Sequence, residues 1–306
     1  MNEEKKSQHI PVLLNEVLSL MDLKGSECVV DGTINGGGHS YEIAKRLKED
    51  GMLIGIDVDE SALEVSRERL KNLPPKIILR RGNFRNIDEI VSAQGVEKVD
   101  RILFDLGWSS NQFENPERGF SFMYDGPLSM TLSTKEEEYP FTAWNVVNEW
   151  SEESLVDIFR FYGEEKFARR IAHAIVKKRE EKAIERTKEL AEIIKDAIPT
   201  RFHKKGIHPA TRVFQAIRIA VNDELTVLRE GLEKAFSLLK PGGRLLVISF
   251  HSLEDRIVKQ FMRDRASQGE GVLLTKKPIR ASEKEKEINP RSRSALLRGI
   301  KRNEVV

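Results

Sequence analysis

At 306 residues, with 39% hydrophobic and 33% charged residues, the chain is long enough for one large α/β domain or two smaller ones with ample core. A single cysteine excludes a disulfide framework and any multi-thiolate zinc site, and no stretch approaches membrane-spanning length. The net charge of +2 hides an asymmetry: between Arg256 and Arg302, fourteen Lys/Arg face five Asp/Glu, which points to a polyanionic partner. The start, Met-Asn-Glu-Glu-Lys-Lys-Ser-Gln, lacks the apolar centre of a secretory signal, so a cytoplasmic protein is expected.

His9-Ile-Pro-Val-Leu-Leu leads into a short amphipathic helix, Asn15 to Met21. Cys28-Val-Val reads as a buried strand closed by Asp31 and Gly32. Gly36, Gly37 and Gly38 make a turn, and His39-Ser40 opens a helix, Tyr41 to Leu47. Glycines let backbone approach a ligand, and the first turn of a helix carries unpaired N–H donors. Three successive glycines are costly in chain entropy, which favours a ligand site over an ordinary turn. The second strand, Met52 to Asp57, ends in a carboxylate 20 residues beyond Gly37, about where an acid grips ribose hydroxyls in a mononucleotide-binding half.

Asp59 or Ser61 can cap a helix running to Leu70, and Pro74-Pro75 breaks the chain. Lys76 to Arg80 is a third strand, followed by Gly82-Asn83-Phe84, a helix near Ile87 to Ala93, and a fourth strand, Val99 to Asp105. This alternation predicts an α/β fold with a doubly wound, mostly parallel sheet. The glycine turn, Asp57, Phe84 and Asp105 would gather outside its strand carboxyl ends.

From about Asn111 to Thr211 no convincing core strand is seen. Arg118-Gly-Phe-Ser-Phe-Met-Tyr-Asp-Gly-Pro is an aromatic loop, and helices are expected at 143–148, 152–161, 164–178 and 187–197. Residues 111–211 therefore read as an inserted helical domain, with 1–110 and 212–306 forming the sheet domain. One long helix is expected from Ala210 to Leu239, its apolar side (Val213, Phe214, Ile217, Val221, Leu225, Leu228) on the sheet. Arg212, Gln215, Arg218 and Asn222 would form a solvated stripe or a cleft wall. A fifth strand, Arg244 to Phe250, a helix from Leu253 to Asp264 with Ser252 as its cap, and closing strands around Leu273 and Arg291 to Ile300 complete the pattern.

The glycine turn, G-x-x-x-G-G-G, departs from the dehydrogenase fingerprint G-x-G-x-x-G. The end of the fourth strand, Asp105-Leu106-Gly107-Trp108, carries an acid, two turn residues and an aromatic, as in methyltransferases that modify exocyclic amines. Such an amine is a poor nucleophile because its lone pair is delocalised into the ring. A carboxylate and a backbone carbonyl accepting its N–H bonds localise that pair and stabilise charge developing on nitrogen, and an aromatic face holds the base. Asp105 is thus the candidate amine acceptor, the Gly107 carbonyl its helper, and Trp108 a stacking surface. Phe250-His251-Ser252-Leu-Glu-Asp255 lacks the nucleophile elbow of a hydrolase and is better read as a helix cap. The six histidines show no metal-binding spacing, so no metal is expected.

Taken together the motifs resemble the small-subunit ribosomal RNA methyltransferase H family, also called MraW, over nearly the whole chain. They are His9-Ile-Pro-Val-Leu-Leu, Gly-Gly-His-Ser at 37–40, Asp-Leu-Gly at 105–107, Arg-Gly-Phe-Ser-Phe at 118–122, Tyr-Gly-Glu-Glu at 162–165 and Pro-Ala-Thr-Arg-x-Phe-Gln-Ala from 209. Val-Asn-Asp-Glu-Leu from 221, Ser-Phe-His-Ser-Leu-Glu-Asp-Arg from 249 and Asn-Pro-Arg-Ser-Arg-Ser from 289 follow in order. The resemblance implies a class I (Rossmann-like) methyltransferase that uses S-adenosyl-L-methionine to methylate N4 of a cytidine in the decoding centre of 16S rRNA. It also implies that the inserted domain serves substrate recognition. Implied cofactor contacts are Gly37, Gly38, His39, Asp57, Phe84, Asp105 and Gln112, with Asp57 at the ribose and Phe84 against the adenine. Asp105 thereby has a place at the cofactor as well as at the target amine. Arg212, Arg218, Arg291, Arg293 and Arg298 are candidate rRNA contacts on the small ribosomal subunit. The chain departs from the family's usual pattern at Ser129 and Thr131, where an acid and a base are common. It departs again at Asn35, Trp108 and Asn111. These changes keep two alternatives in view: a paralogue methylating another amine, or a non-catalytic RNA-binding assembly factor.

Overall fold

The computed structural model describes residues 11–107, 115–133, 135, 139–203, 206 and 208–304. The chain forms two compact units, one of residues 1–107 with 225–306 and the other of residues 108–224.

In the first unit a single sheet has the order β3-β2-β1-β4-β5-β8-β6, with β7 also paired to β8. Its strands are β1 (Cys28–Asp31), β2 (Met52–Asp57), β3 (Lys76–Arg81), β4 (Val99–Asp105), β5 (Leu239–Ser249), β6 (Gly271–Leu273), β7 (Ile279–Arg280) and β8 (Leu296–Arg302). The five strands β3, β2, β1, β4 and β5 run parallel, and β8 closes antiparallel to β5. This is the doubly wound α/β class expected. Successive residues of the strands face opposite sides: Val30, Ile54, Ile102, Phe104 and Val247 enter one core, and Val29, Leu53, Leu103, Leu246 and Ile248 the other. Burial on both faces is why these strands read as unbroken apolar runs.

Helices α1 (Leu14–Met21), α2 (Gly38–Ala44), α3 (Glu60–Arg69) and α4 (Ile87–Ser92) come from the first half of this unit. Strand order reverses between β1 and β4, so the switch point of the sheet lies between Asp31 and Asp105.

The second unit contains α5 (Ala143–Glu149), α6 (Glu152–Phe161), α7 (Ala168–Glu181), α8 (Thr187–Ala197) and α9 (Thr211–Asn222). Among its described residues the one strand-like pairing is an isolated bridge between Pro127 and Arg186. Val146, Phe159, Ile171, Ile175, Leu190, Ile194 and Ile217 form its core.

The single helix expected over 210–239 is two. Asp223 adopts the left-handed conformation (φ 48°) and separates α9 from α10 (Glu224–Leu238). Val213, Phe214, Ile217 and Val221 of α9 pack into the helical core, whereas Leu228 of α10 packs on the sheet. The boundaries between the units accordingly fall at 107/108 and 224/225 rather than at 110/111 and 211/212.

A further shift concerns α11 (Ser252–Ser267), which is capped by His251, not Ser252. The Glu254 N–H reaches the His251 ring, and the Glu254 carboxylate accepts from the Phe250 and His251 N–H groups. The last helix is α12 (Glu283–Ile288).

Candidate active site

Three neighbouring parallel strands each end in a buried aspartate: Asp31 on β1, Asp57 on β2 and Asp105 on β4. The loop after β1 ties all three together. The Thr33 N–H donates to Asp31 Oδ1 at 3.3 Å, and the Asp105 N–H donates to Thr33 Oγ1 at 2.6 Å. Asn35 donates its N–H to Asp57 Oδ2 at 2.9 Å and its side-chain amide to the Asp105 carbonyl at 3.2 Å. Asn35 stands at φ 53°, a left-handed position that Asn tolerates, and its side-chain amide supplies a bond that a glycine or alanine there would lack. From the sequence, Asp31 reads only as a strand end and Asn35 only as a departure from the family pattern, and Thr33 carries no assignment. The short polar residues in a strand-end loop were the signal that could have found them.

The glycine turn delivers the start of α2. The Gly36 and Gly37 N–H groups both donate to the Ile34 carbonyl, at 2.8 and 2.7 Å. Gly37 is the residue before α2, at φ 73°, and a Cβ there would lie 3.2 Å from Ser66 Oγ. Conformation and packing both call for glycine. No side chain caps this end of α2.

Asp57 accepts a second main-chain bond, from the Asp59 N–H to Oδ1 at 2.9 Å. Burial nevertheless pushes its carboxyl up to about 7. Burial likewise pushes Asp31 up to about 6, against the lowering effect of the Ser40 hydroxyl, which donates to Asp31 Oδ2 at 2.7 Å. His39 is buried, with Nε2 2.9 Å from the Val12 carbonyl and Nδ1 3.4 Å from Asp105 Oδ2. Asp105 Oδ1 is buried and has no hydrogen-bond partner among the described residues. A solvent-excluded carboxylate oxygen with no donor is costly, and such a group marks a place where a ligand's donor fits.

Phe84 follows β3, half-buried, its ring 4.7 Å from that of Phe104 and tilted 41° to it. Gly37, Gly38, His39, Asp57, Phe84 and Asp105 all belong to the loops and strand ends on the carboxyl side of the parallel strands. Trp108 and Gln112 lie outside the described residues.

Two of the candidate RNA contacts are committed elsewhere. Arg218 is buried and donates through two nitrogens to the Glu224 carboxylate, at 2.6 and 2.8 Å. Arg298 is buried and donates similarly to Asp255, at 2.7 and 3.0 Å. The side chains of the stripe on α9 also make hydrogen bonds within the helical unit. Asn222 bonds the Leu132 N–H and the Met130 carbonyl, and Gln215 the Tyr162 carbonyl. Arg212 is half-buried and donates to the Glu164 carbonyl, Arg291 is half-buried, and Arg293 is exposed.

The departure at Ser129 and Thr131 has a local explanation. Both side chains are buried and their hydroxyls lie 3.2 Å apart, with Thr131 donating onward to the Ser133 carbonyl at 3.0 Å. A neutral hydroxyl pair occupies these positions, so loss of an acid and a base together leaves no unpaired charge.

The chain is similar over almost its entire length to proteins named ribosomal RNA small subunit methyltransferase H. That of Clostridium botulinum is 48% identical, covering 95% of this chain and 97% of the relative. Those of Symbiobacterium thermophilum and Syntrophotalea carbinolica are 46% and 47% identical, covering 95% and 96% of this chain and 96% and 98% of theirs. The model of the MraW methylase family matches residues 6–303, and the chain belongs to that family.

Proposed function

We propose that this protein transfers a methyl group from S-adenosyl-L-methionine to N4 of a cytidine in the decoding centre of 16S rRNA, on the small ribosomal subunit in the cytoplasm. The observation that carries this reading is Asp105 Oδ1, a buried acceptor with no donor among the described residues, at the switch point of a sheet belonging to a methylase family. The donor set fits the cofactor: carboxylates suit hydroxyl and ammonium groups, and the uncapped start of α2 suits a carboxylate. Asp57 would hold the ribose, Phe84 would lie against the adenine, and Gly37, Gly38 and His39 would serve through their main chain. When bound, this cofactor supplies an electrophilic methyl group.

The protein's own part is to hold and sharpen the nucleophile. Asp105 Oδ1 accepts one N–H of the cytidine amine, and the Gly107 carbonyl, two residues on in the chain, would accept the other. Both bonds pull the nitrogen lone pair out of conjugation and aim it, so the barrier falls through positioning and stabilised charge. As the N–C bond forms, Asp105 takes the proton that the alkylated nitrogen sheds. The base is turned out of its RNA stack to reach the site. The helical unit serves substrate recognition, and Arg212, Arg291 and Arg293 remain the candidates for phosphate contacts.

The test is transfer of labelled methyl groups to unmethylated small subunits, followed by nucleoside identification. N4-methylcytidine is expected from the wild type, and a loss of about 10²–10³-fold from Asp105→Ala. Label on another nucleoside, no label at all, or near-normal turnover by Asp105→Ala would overturn the reading.

A further inference from the structure

We infer that His39 is a positioning residue for Asp105, its ring bridging the Val12 carbonyl and Asp105 Oδ2 and so dictating which carboxylate oxygen is left for the substrate. This rests on the reading of Asp105 as the amine acceptor.

The geometry assigns both ring nitrogens. The Val12 carbonyl can only accept, so Nε2 at 2.9 Å carries a proton and donates to it. Nδ1 then faces Asp105 Oδ2 at 3.4 Å. A second proton, on Nδ1, turns the 3.4 Å approach to Asp105 into an ion pair, and the carboxylates of Asp105 and Asp31 both favour that charged ring. Asp31 is engaged by the Ser40 hydroxyl and the Thr33 N–H, which leaves Asp105 as the ion-pair partner of the ring. Burial alone would lower the affinity of His39 for its proton. The Asp105 carboxylate, with Asp31 and the Val12 carbonyl, outweighs burial and holds the ring above its ordinary value.

The consequence for Asp105 is a fixed asymmetry. Its backbone is pinned by Thr33 and Asn35, and Oδ2 by the imidazolium, while Oδ1 keeps no partner among the described residues. The Pro11-Val12-Leu13 segment acquires a role through its main chain. Leu13 stands at φ 55° with its N–H bonded to Glu285 Oε1 at 2.7 Å, which anchors the turn that presents the Val12 carbonyl. The His39 ring is buried with its two nitrogens against the Val12 carbonyl and Asp105, so it acts on the reaction through Asp105.

Two substitutions separate positioning from mere filling of space. In His39→Asn the amide nitrogen takes the place of Nδ1 and retains a donor for Asp105. In His39→Gln it takes the place of Nε2 and retains a donor for Val12. Expected is a kcat loss of about 100-fold for His39→Gln and about 10-fold or less for His39→Asn, with KM for small subunits unchanged in both. The wild-type rate should fall as pH rises through the His39 midpoint, and that fall should vanish in His39→Asn. An NMR titration of the ligand-free protein gives a readout independent of activity: His39 should titrate above 6.5, and its midpoint should drop in Asp105→Asn. A midpoint insensitive to Asp105→Asn, or equal kcat losses in the two His39 variants, would overturn the inference. Absence of methyl transfer by the wild type would instead overturn the functional reading, while the titration still decides the pair.

Discussion

Arg298 on β8 and Asp255 on α11 form a two-bond ion pair, with Nε and a terminal nitrogen of the arginine 2.7 and 3.0 Å from the two carboxylate oxygens. The pair ties the antiparallel closing strand to the helix that covers it. Arg298→Ala would leave Asp255 without this partner beside a buried surface and should cost about 2–3 kcal/mol of stability. Arg298→Met with Asp255→Leu should recover most of that loss. Urea denaturation of the single and double variants checks both statements, and RNA affinity per folded molecule should not change.

The pair also shows what the sequence could and could not reveal. The basic character of the C-terminal region is plain in the composition, but Asp255 is 43 residues from Arg298, so nothing local tells a phosphate-binding arginine from a structural one. Buried parallel strands were far more legible. The limits of β2 and β4 match those read from their apolar runs because both faces are covered and an acid ends each run. The break at Asp223 left no trace, since α9 and α10 continue one hydrophobic period across a single left-handed residue. At the site, Asp57 and Asp105 stood out as strand-end acids. The ties from Thr33 and Asn35 lay in short polar loop residues whose partners are far away in sequence, and the Val12 carbonyl, a main-chain partner, carries no side-chain signature at all.

Asp57 makes the ligand-free protein sensitive to pH. Its folded carboxyl holds a proton up to about 7, whereas the unfolded chain releases it near 3.8. Stability from this group is therefore fully present below about pH 4 and is lost as pH rises through about 7, by roughly 2–4 kcal/mol. Asp31 adds a loss that is complete by about pH 6. Calorimetry of the ligand-free protein between pH 4 and 8 should show Tm falling across this window, with a shallower fall in Asp57→Asn. That variant should bind S-adenosyl-L-methionine more weakly above about pH 7, where the wild-type carboxyl has lost its proton and offers a charged acceptor.

Ser129 and Thr131 should behave as one unit. Thr131 donates to the Ser133 carbonyl, so Ser129 is the donor in the 3.2 Å contact between the two hydroxyls. Ser129→Ala and Thr131→Val should each cost about 1–2 kcal/mol, and the double variant less than their sum, because removing both hydroxyls leaves no orphan between them. A double-mutant cycle in urea measures the coupling. Additive losses would show that the hydroxyls do not depend on one another.

Gly231, in the interior of α10, is a position where helix propensity and the site conflict. Alanine would ordinarily stabilise such a position by about 1 kcal/mol. Here a Cβ would stand 2.4 Å from Cδ2 and 2.7 Å from Cε2 of Phe84, so the ring must move. The displacement cannot be absorbed quietly, since Phe84 also packs on Phe104, itself fully buried in β4 beside Asp105. Gly231→Ala should therefore lose about 1–3 kcal/mol from overpacking instead of gaining stability. It should also weaken S-adenosyl-L-methionine binding if Phe84 meets the adenine. Phe84→Leu in the Gly231→Ala background, where a smaller side chain accepts the new methyl, should restore stability but not affinity. Calorimetric titration set beside thermal melts separates the two effects. Recovery of affinity together with stability would show that the Phe84 ring does not face the cofactor.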